Sequence, residues 1–83
     1  MSEAEAVFKI LKVIESGNEP KKEDIGSDKD SFYELMEQIH DDNLVDNISF
    51  NKRDGRITIV YTNNLSLTKF GREYIKLKEE GRI

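Results

Sequence analysis

The chain has 83 residues, the length of one small domain, and 36% of them are charged. It has no cysteine, which excludes a disulfide framework, a cysteine-ligated zinc site and a thiol nucleophile. No apolar run approaches the roughly 18 residues of a membrane-spanning helix, and no basic start followed by an apolar stretch marks a signal peptide. We therefore expect a cytoplasmic protein that forms a single domain over residues 1–83.

Charge is distributed unevenly along the chain, whose net charge is −4. Residues 1–50 hold 5 basic and 13 acidic side chains, a net charge of −8. Residues 51–83 hold 8 basic and 4 acidic side chains, a net charge of +4. Because the position of charges shapes the field that a partner meets, the two parts are expected to favour different partners.

Three helices are predicted in the acidic part. The first spans residues 2–16, with Ser2 as a capping residue and Gly17 after its end. Pro20 suits the first turn of a short helix over residues 20–25. A third helix spans residues 28–43, and its apolar residues recur at helical spacing. These residues are Phe32, Leu35, Met36 and Ile39.

The apolar arc of the first helix is wider than one buried face requires. Ala6, Ile10 and Val13 form a flank beyond its main apolar line. A small domain can use such surplus apolar surface to dimerise, so a homodimer is one expectation. The alternative is that the last helix, or the segment around Leu65 and Leu67, covers this flank.

The period of apolar residues then changes to that of a β-hairpin. Asp54-Gly55 is a strong signal for a two-residue turn between the strands. The turn predicts that Phe50 faces Ile59 and that Ile48 faces Tyr61, with both pairs on one buried face.

The last segment is predicted to return briefly to the sheet edge at residues 65–67 and then to form a helix. Thr68 caps this helix, which extends to about residue 80, and Phe70, Tyr74 and Leu77 face inward. Eight residues are predicted to share one core: Phe8, Leu11, Phe32, Leu35, Ile39, Phe50, Ile59 and Phe70.

The order helix, short helix, helix, β-hairpin, helix is the outline of an α+β winged helix-turn-helix fold. Residues 67–74, Leu-Thr-Lys-Phe-Gly-Arg-Glu-Tyr, resemble the segment that follows the wing in many winged-helix regulators. More narrowly, the chain resembles the YjcQ family of small bacterial and phage-encoded proteins. The resemblance implies a winged-helix fold and carries no catalytic residues. The matching pieces are residues 10–14, 17–20 and 24–26, together with Phe32, Leu67, Thr68, Gly71 and Tyr74.

An acidic stripe marks the third helix and is the first candidate site. Its members are separated by four, three and four residues, which places them opposite the apolar stripe. Such a face repels phosphates, whereas a helix that reads the DNA major groove normally gains affinity from basic residues. The stripe is therefore either a solvated face or a surface for a basic protein partner. The acidic stripe consists of Asp30, Glu34, Glu37 and Asp41.

The second candidate site is the wing, where Lys52, Arg53 and Arg56 flank the turn. Wings of this fold often place basic residues against a phosphate backbone or minor groove. The alternative is ordinary charge on an edge hairpin, which deters strand pairing.

Nothing in the sequence points to catalysis. His40, followed by Asp41 and Asp42, lacks the third ligand and the supporting shell of a metal site, and a histidine at a helix end explains it better. No glycine-rich phosphate loop or nucleophile elbow is present, so we expect no cofactor and no small-molecule substrate. The sequence predicts a non-enzymatic interaction module that binds a protein partner or itself, with a DNA-binding regulator as the alternative.

Overall fold

The computed structural model describes residues 2–83, and their helices and strands follow the predicted order. The elements are α1 (Glu3–Glu15), a 3-10 helix (Lys22–Ile25), α2 (Lys29–Asp41), β1 (Val45–Asp46), β2 (Ser49–Arg53), β3 (Arg56–Tyr61), β4 (Ser66–Leu67) and α3 (Lys69–Glu79).

Each α-helix begins at a capping residue that the sequence identifies. Ser2, Asp28 and Thr68 each accept, through a side-chain oxygen, a hydrogen bond from the backbone N–H three residues later. This bond satisfies one of the N–H groups that a helix start leaves without a partner. After α1 and α2 the chain turns through left-handed residues, Gly17 at φ 86° and Asn43 at φ 57°.

The core lies between α1 and α2 and is closed by α3. The largest fully buried side chains are Ile10 and Leu11 from α1 and Met36 and Ile39 from α2. Because Ile10 is fully buried and Val13 is half-buried, the flank of α1 that suggested a homodimer is largely covered within the chain. That observation therefore gives no support to self-association.

The wing hairpin turns where the sequence predicts, at Asp54-Gly55. Both residues have positive φ values, 54° and 79°, as a two-residue turn of this hairpin type requires. The turn pairs Arg53 with Arg56, and the next pair is Lys52 with Ile57.

Beyond these two pairs, the predicted register is wrong by one residue. Thr58 is an extra residue in β3, so Asn51 pairs with Ile59 and Phe50 pairs with Val60. The Thr58 hydroxyl donates a hydrogen bond to the Asn51 carbonyl at 3.2 Å, which supports the bulge. A bulge reverses the alternation of a strand, because side chains point to opposite faces in turn.

The bulge changes which apolar residues of β3 the fold covers. Ile57 and Val60, three residues apart, are half-buried, whereas Ile59 is 43% exposed. Tyr61 is likewise exposed, and its hydroxyl accepts a hydrogen bond from the Asn51 side chain at 2.8 Å. Ile59 therefore does not belong to the core in which the sequence analysis placed it.

The segment after the wing does form a short strand, but that strand pairs with β1 and not with the wing. Val45 faces Leu67 and Asp46 faces Ser66 in an antiparallel ladder. This ladder closes the base of the wing. Together with the preceding helices and α3, it completes an α+β fold of the winged helix-turn-helix class, as predicted.

Helix α3 packs closely against the segment that follows α2, at Asn43 and Leu44. A Cβ at Gly71 would lie 2.1 Å from the Leu44 carbonyl oxygen, so only glycine fits there. The same carbonyl accepts a hydrogen bond from the Thr68 N–H at 3.1 Å, and the Thr68 hydroxyl donates to the Asn43 carbonyl at 2.6 Å. The absence of a side chain at Gly71 is therefore what permits this close approach.

The buried face of α3 differs from the predicted one by one position. Ile75 is buried and Tyr74 is half-buried, with its hydroxyl donating to the Ala4 carbonyl of α1 at 3.1 Å. Phe70 is 54% exposed, and the Lys69 ammonium lies 5.9 Å from its ring centroid. Phe70 was predicted to lie in the core, and that prediction is wrong because the close contact at Gly71 orients the adjacent position outward.

We expect Gly71→Ala to destabilise the protein by about 1–3 kcal/mol, because the new methyl group would force α3 away from the Leu44 carbonyl. Helix propensity alone would predict the opposite, a gain in stability, because it favours alanine over glycine by about 1 kcal/mol. Urea unfolding measures the change. The control is Glu73→Ala on the exposed side of α3, which should change stability by less than about 0.5 kcal/mol. A Gly71→Ala protein as stable as the wild type would contradict the close contact.

Phe32 and Phe70 should differ sharply in their contributions to the free energy of unfolding. Phe32 is 6% exposed, so Phe32→Ala should cost about 3–5 kcal/mol. Phe70→Ala should cost less than about 1 kcal/mol, since most of its ring stays in water. Unfolding by urea, followed by far-UV circular dichroism, compares the two variants. Equal losses would mean that Phe70 belongs to the core after all.

Candidate interaction site between helix α2 and the wing

The two predicted candidate sites face each other in the folded chain. The wing lies along α2, and its strands pack on the side of the helix that carries part of the acidic stripe. At one end of this contact, the His40 ring meets the Phe50 ring edge-on, with centroids 5.4 Å apart and planes at 85°. This aromatic contact fixes the base of the wing against α2.

In the middle of the contact, Lys52 forms an ion pair with Glu37, with 2.6 Å between Nζ and Oε2. The hydrogen bond and the negative charge of Glu37 raise the pKa of Lys52 above its usual value, and the charge of Asp41 adds to this. The two side chains are 54% and 34% exposed, so water screens the pair. Such a pair orients the wing more than it stabilises the fold.

Near the wing turn, Arg56 approaches Asp30, with 4.0 Å between Nη2 and Oδ2. Both side chains are largely exposed, at 80% and 70%. The pair is therefore a loose electrostatic contact that a competing charge could replace at little cost.

The remaining members of the acidic stripe stay open to solvent. Glu34 and Asp41 are exposed, and within residues 2–83 Glu34 forms no ion pair. Asp41 lies 3.3 Å from the His40 Nδ1, a contact that becomes an ion pair when the histidine is protonated. The stripe thus has two carboxylates that pair with the wing, one of them the largely exposed Asp30, and two that do not.

A cleft of about 230 Å³ opens between α2 and the wing turn. Tyr33 and Ile57 contribute its apolar surface, and three carboxylates of the acidic stripe line it together with Arg56. Its form suits the long side chain of an arginine or lysine, whose stem is apolar and whose head is charged. The carboxylates that line it are Asp30, Glu34 and Glu37.

Arg53 is the wing's remaining basic residue, and it lies exposed beside the turn. In the part of the chain that the structure describes, no ion pair involves Arg53. The three basic wing residues are therefore not equivalent, because Lys52 and Arg56 face carboxylates of α2 and Arg53 faces solvent.

Sequence reasoning identified the charged residues but treated the stripe and the wing as separate surfaces. It missed Tyr33 and Ile57, which form the apolar part of the cleft. The spacing of opposite charges was an available signal, since a wing folded along α2 brings Lys52 towards Glu37. The one-residue bulge that keeps Ile57 and Val60 on the same side was not visible in the apolar pattern.

Two further observations concern metal binding and membrane-spanning helices. Within residues 2–83, no group of three histidine or carboxylate side chains is arranged to hold a metal ion. Over the same residues, no helix has both the length and the hydropathy that crossing a membrane requires.

We expect Glu37→Gln to lower the pKa of Lys52 towards its ordinary value, because the variant removes the negative charge and leaves only a weaker hydrogen bond to a neutral amide oxygen. Since the folded-state pKa of Lys52 is raised, the stability that the pair contributes is present below about pH 10. It is lost as the pH rises through that raised pKa. An NMR titration of the Lys52 side chain measures the shift.

Glu34→Gln is the matched control for this titration, because it removes a neighbouring stripe charge that does not contact Lys52. The Lys52 pKa should stay close to the wild-type value in this control. Equal shifts in the two variants would show that the stripe acts on the wing through its total charge and that the Glu37 contact is not formed.

Comparison with known proteins places this arrangement in a family. No family model matches the sequence, and no curated protein matches it. Among solved structures, the chain is similar to the YjcQ protein from Bacillus subtilis, determined by NMR in solution. The two share 31% sequence identity, the match covers 93% of this chain and 94% of that one, and the TM-score is 0.60. The resemblance in the short motifs thus extends over nearly the whole chain, which belongs to the YjcQ family.

Proposed function

We propose that the protein is a non-enzymatic interaction module that binds a basic segment of a protein partner through α2 and the wing. The observation that carries the proposal is the cleft in which Tyr33 and Ile57 lie among carboxylates of the acidic stripe. A partner's arginine or lysine would lay its stem on these two side chains and its charged head against Glu34 or Glu37.

The charge pattern supports a basic partner. Glu34 and Asp41 are exposed and are not neutralised by the wing, so they attract positive charge over a distance set by the salt concentration. The contact between Arg56 and Asp30 spans 4.0 Å between exposed groups, so an incoming cation would displace it readily. Charges of this kind act mainly by speeding association and by choosing the partner.

The same charge pattern disfavours docking of α2 in the DNA major groove. The outward face of α2 is acidic and would meet phosphates with like charge. Two of the three basic wing residues, Lys52 and Arg56, face carboxylates of the same chain, which reduces what they offer to a phosphate backbone.

A titration with a short amidated peptide of alternating arginine and alanine tests the proposal. Replacement of the two exposed stripe residues, Glu34→Gln with Asp41→Asn, should weaken binding about fivefold or more at low salt, with most of the loss in the association rate. Replacement of all four stripe residues by their amides should weaken it further. The effects should shrink as salt is added.

Two sets of variants make the test specific. The matched control, Glu5→Gln with Glu73→Gln, removes the same charge from exposed positions on α1 and α3 and should change binding less than about twofold. The wing variant Lys52→Gln with Arg56→Gln should bind the peptide more tightly, because it releases stripe carboxylates from their ion pairs. Equal losses in the stripe variant and the control would contradict a site on α2.

A DNA-binding regulator is the second candidate, and Arg53 is the residue that favours it. Its side chain is exposed at the wing turn and forms no ion pair within residues 2–83. If wild-type protein binds duplex DNA at physiological salt, and if Arg53→Ala with Arg56→Ala flattens the salt dependence by about one unit per phosphate contact, this second function replaces the first.

A further inference from the structure

A second cleft, of about 280 Å³, lies where the 3-10 helix, the start of α2 and the end of β3 meet. Its apolar lining comes from Pro20, Phe32, Tyr33 and Val60, four side chains from three different parts of the chain. Pro20 and Phe32 are buried, and Tyr33 and Val60 are half-buried, so the lining is held by the core and is formed before any ligand arrives. Clefts of this kind are the usual sites for an apolar side chain or ligand.

Three lysines surround this cleft, although the chain as a whole is acidic. Lys21, Lys22 and Lys29 line it and are exposed. Within residues 2–83 none of them forms an ion pair, in contrast to Lys12 and Lys52, each of which does. The Lys29 ammonium lies 5.6 Å from the centroid of the Tyr33 ring, which places positive charge directly beside the apolar lining.

Within residues 2–83, none of the carboxylates near these lysines forms an ion pair with them. Asp24 accepts a hydrogen bond from the Lys21 backbone N–H at 2.7 Å, and Glu19 accepts one from the buried Thr62 hydroxyl. The Asp28 carboxylate caps α2 by accepting a hydrogen bond from the Ser31 N–H. Hydrogen bonding with the Ser31 side chain is the main cause of its lowered pKa, and the positive charge of Lys22 adds to this. Because the three ammonium groups are exposed and form no ion pair, they can approach carboxylates of a ligand.

We propose that this cleft binds an acidic peptide segment of a partner protein, with one large apolar side chain of the segment on Phe32, Tyr33 and Val60. The flanking carboxylates of the segment would face Lys21, Lys22 and Lys29. A buried apolar anchor with a charged rim is the arrangement that concentrates binding energy in protein interfaces. The site is distinct from the acidic cleft proposed above, and it takes a ligand of the opposite charge.

The size and lining of the cleft favour a peptide over other anions. At about 280 Å³ the cleft falls just below the usual range for whole small molecules and cofactors, roughly 300–1,000 Å³, and it matches a single side chain better. A nucleic acid backbone would use the lysines but leave the apolar lining without a partner. It would also approach the acidic stripe, which lies on the same helix as Lys29.

The experiment is an NMR titration of the full chain, labelled with ¹⁵N, with an acetylated and amidated peptide in which one phenylalanine is flanked by aspartates. Saturable shifts are expected at residues around the cleft. Replacement of the phenylalanine by alanine, or of the aspartates by asparagines, should each weaken binding about tenfold, because the anchor and the charges are both required.

Two triple variants with the same net charge distinguish binding at this cleft from a general electrostatic attraction between the peptide and the protein. The cleft variant Lys21→Gln, Lys22→Gln, Lys29→Gln should weaken binding about tenfold or more. In the control, three lysines on α1 and α3 that do not line the cleft are replaced, and binding should change less than about twofold. The control substitutions are Lys9→Gln, Lys69→Gln and Lys76→Gln.

Several outcomes would overturn the proposal. They are equal losses in both triple variants, tight binding of the asparagine peptide, or no saturable shift with the aspartate peptide. A short DNA duplex that binds through the same three lysines more tightly than the peptide would assign the face to nucleic acid instead. None of these outcomes bears on the arginine peptide and the acidic stripe, so the two proposals fail or stand independently.

Discussion

The architecture depends on the contact between the start of α3 and the end of α2. Thr68 donates two hydrogen bonds there, from its backbone to the Leu44 carbonyl and from its hydroxyl to the Asn43 carbonyl. Gly71 allows the helix backbone to reach the Leu44 carbonyl, where any Cβ would clash. This contact holds β4 beside β1, and that short ladder closes the base of the wing. The direction of the wing, and with it the site on α2, depends on this closed base together with the contact of Phe50 with His40 and the pair of Lys52 with Glu37.

Once the wing is directed along α2, electrostatics determines which charges remain available. Lys52 neutralises Glu37 and Arg56 lies near Asp30, so the wing and the stripe partly cancel each other. A winged-helix protein that reads DNA usually adds the charge of its wing to that of its groove-facing helix. In this chain the two have opposite signs, so the wing pairs with α2 instead of adding to its charge, and the proposal of a basic protein ligand rests on this difference.

Tyr33 stands at the boundary between two clefts of different character. On one side it adjoins the carboxylates of the acidic stripe, and on the other it adjoins Lys29 and the apolar lining formed with Phe32. Neighbouring faces of one short helix thereby present opposite charges around a shared aromatic residue.

Local chemistry was enough to predict the elements from the sequence. Capping residues such as Thr68, left-handed residues after the helices and the Asp54-Gly55 turn act within a few residues, so their consequences can be predicted without a fold. The acidic stripe is likewise a property of one helix, because residues separated by three or four positions share a face. The family resemblance depends on these same short motifs, which is why it led to the correct fold class.

Tertiary structure alone decided which apolar residues are buried and which charges meet. The bulge at Thr58 moves Ile59 out of the core, and the close contact at Gly71 leaves Phe70 in solvent. Both results depend on backbone geometry between distant segments, which the apolar period of a single segment does not record. The pairing of Lys52 with Glu37 has the same origin. The sequence by itself determined the helices, the turn and the charges, and the packing of the wing on α2 determined how those charges combine, because burial and ion pairing depend on distances in space.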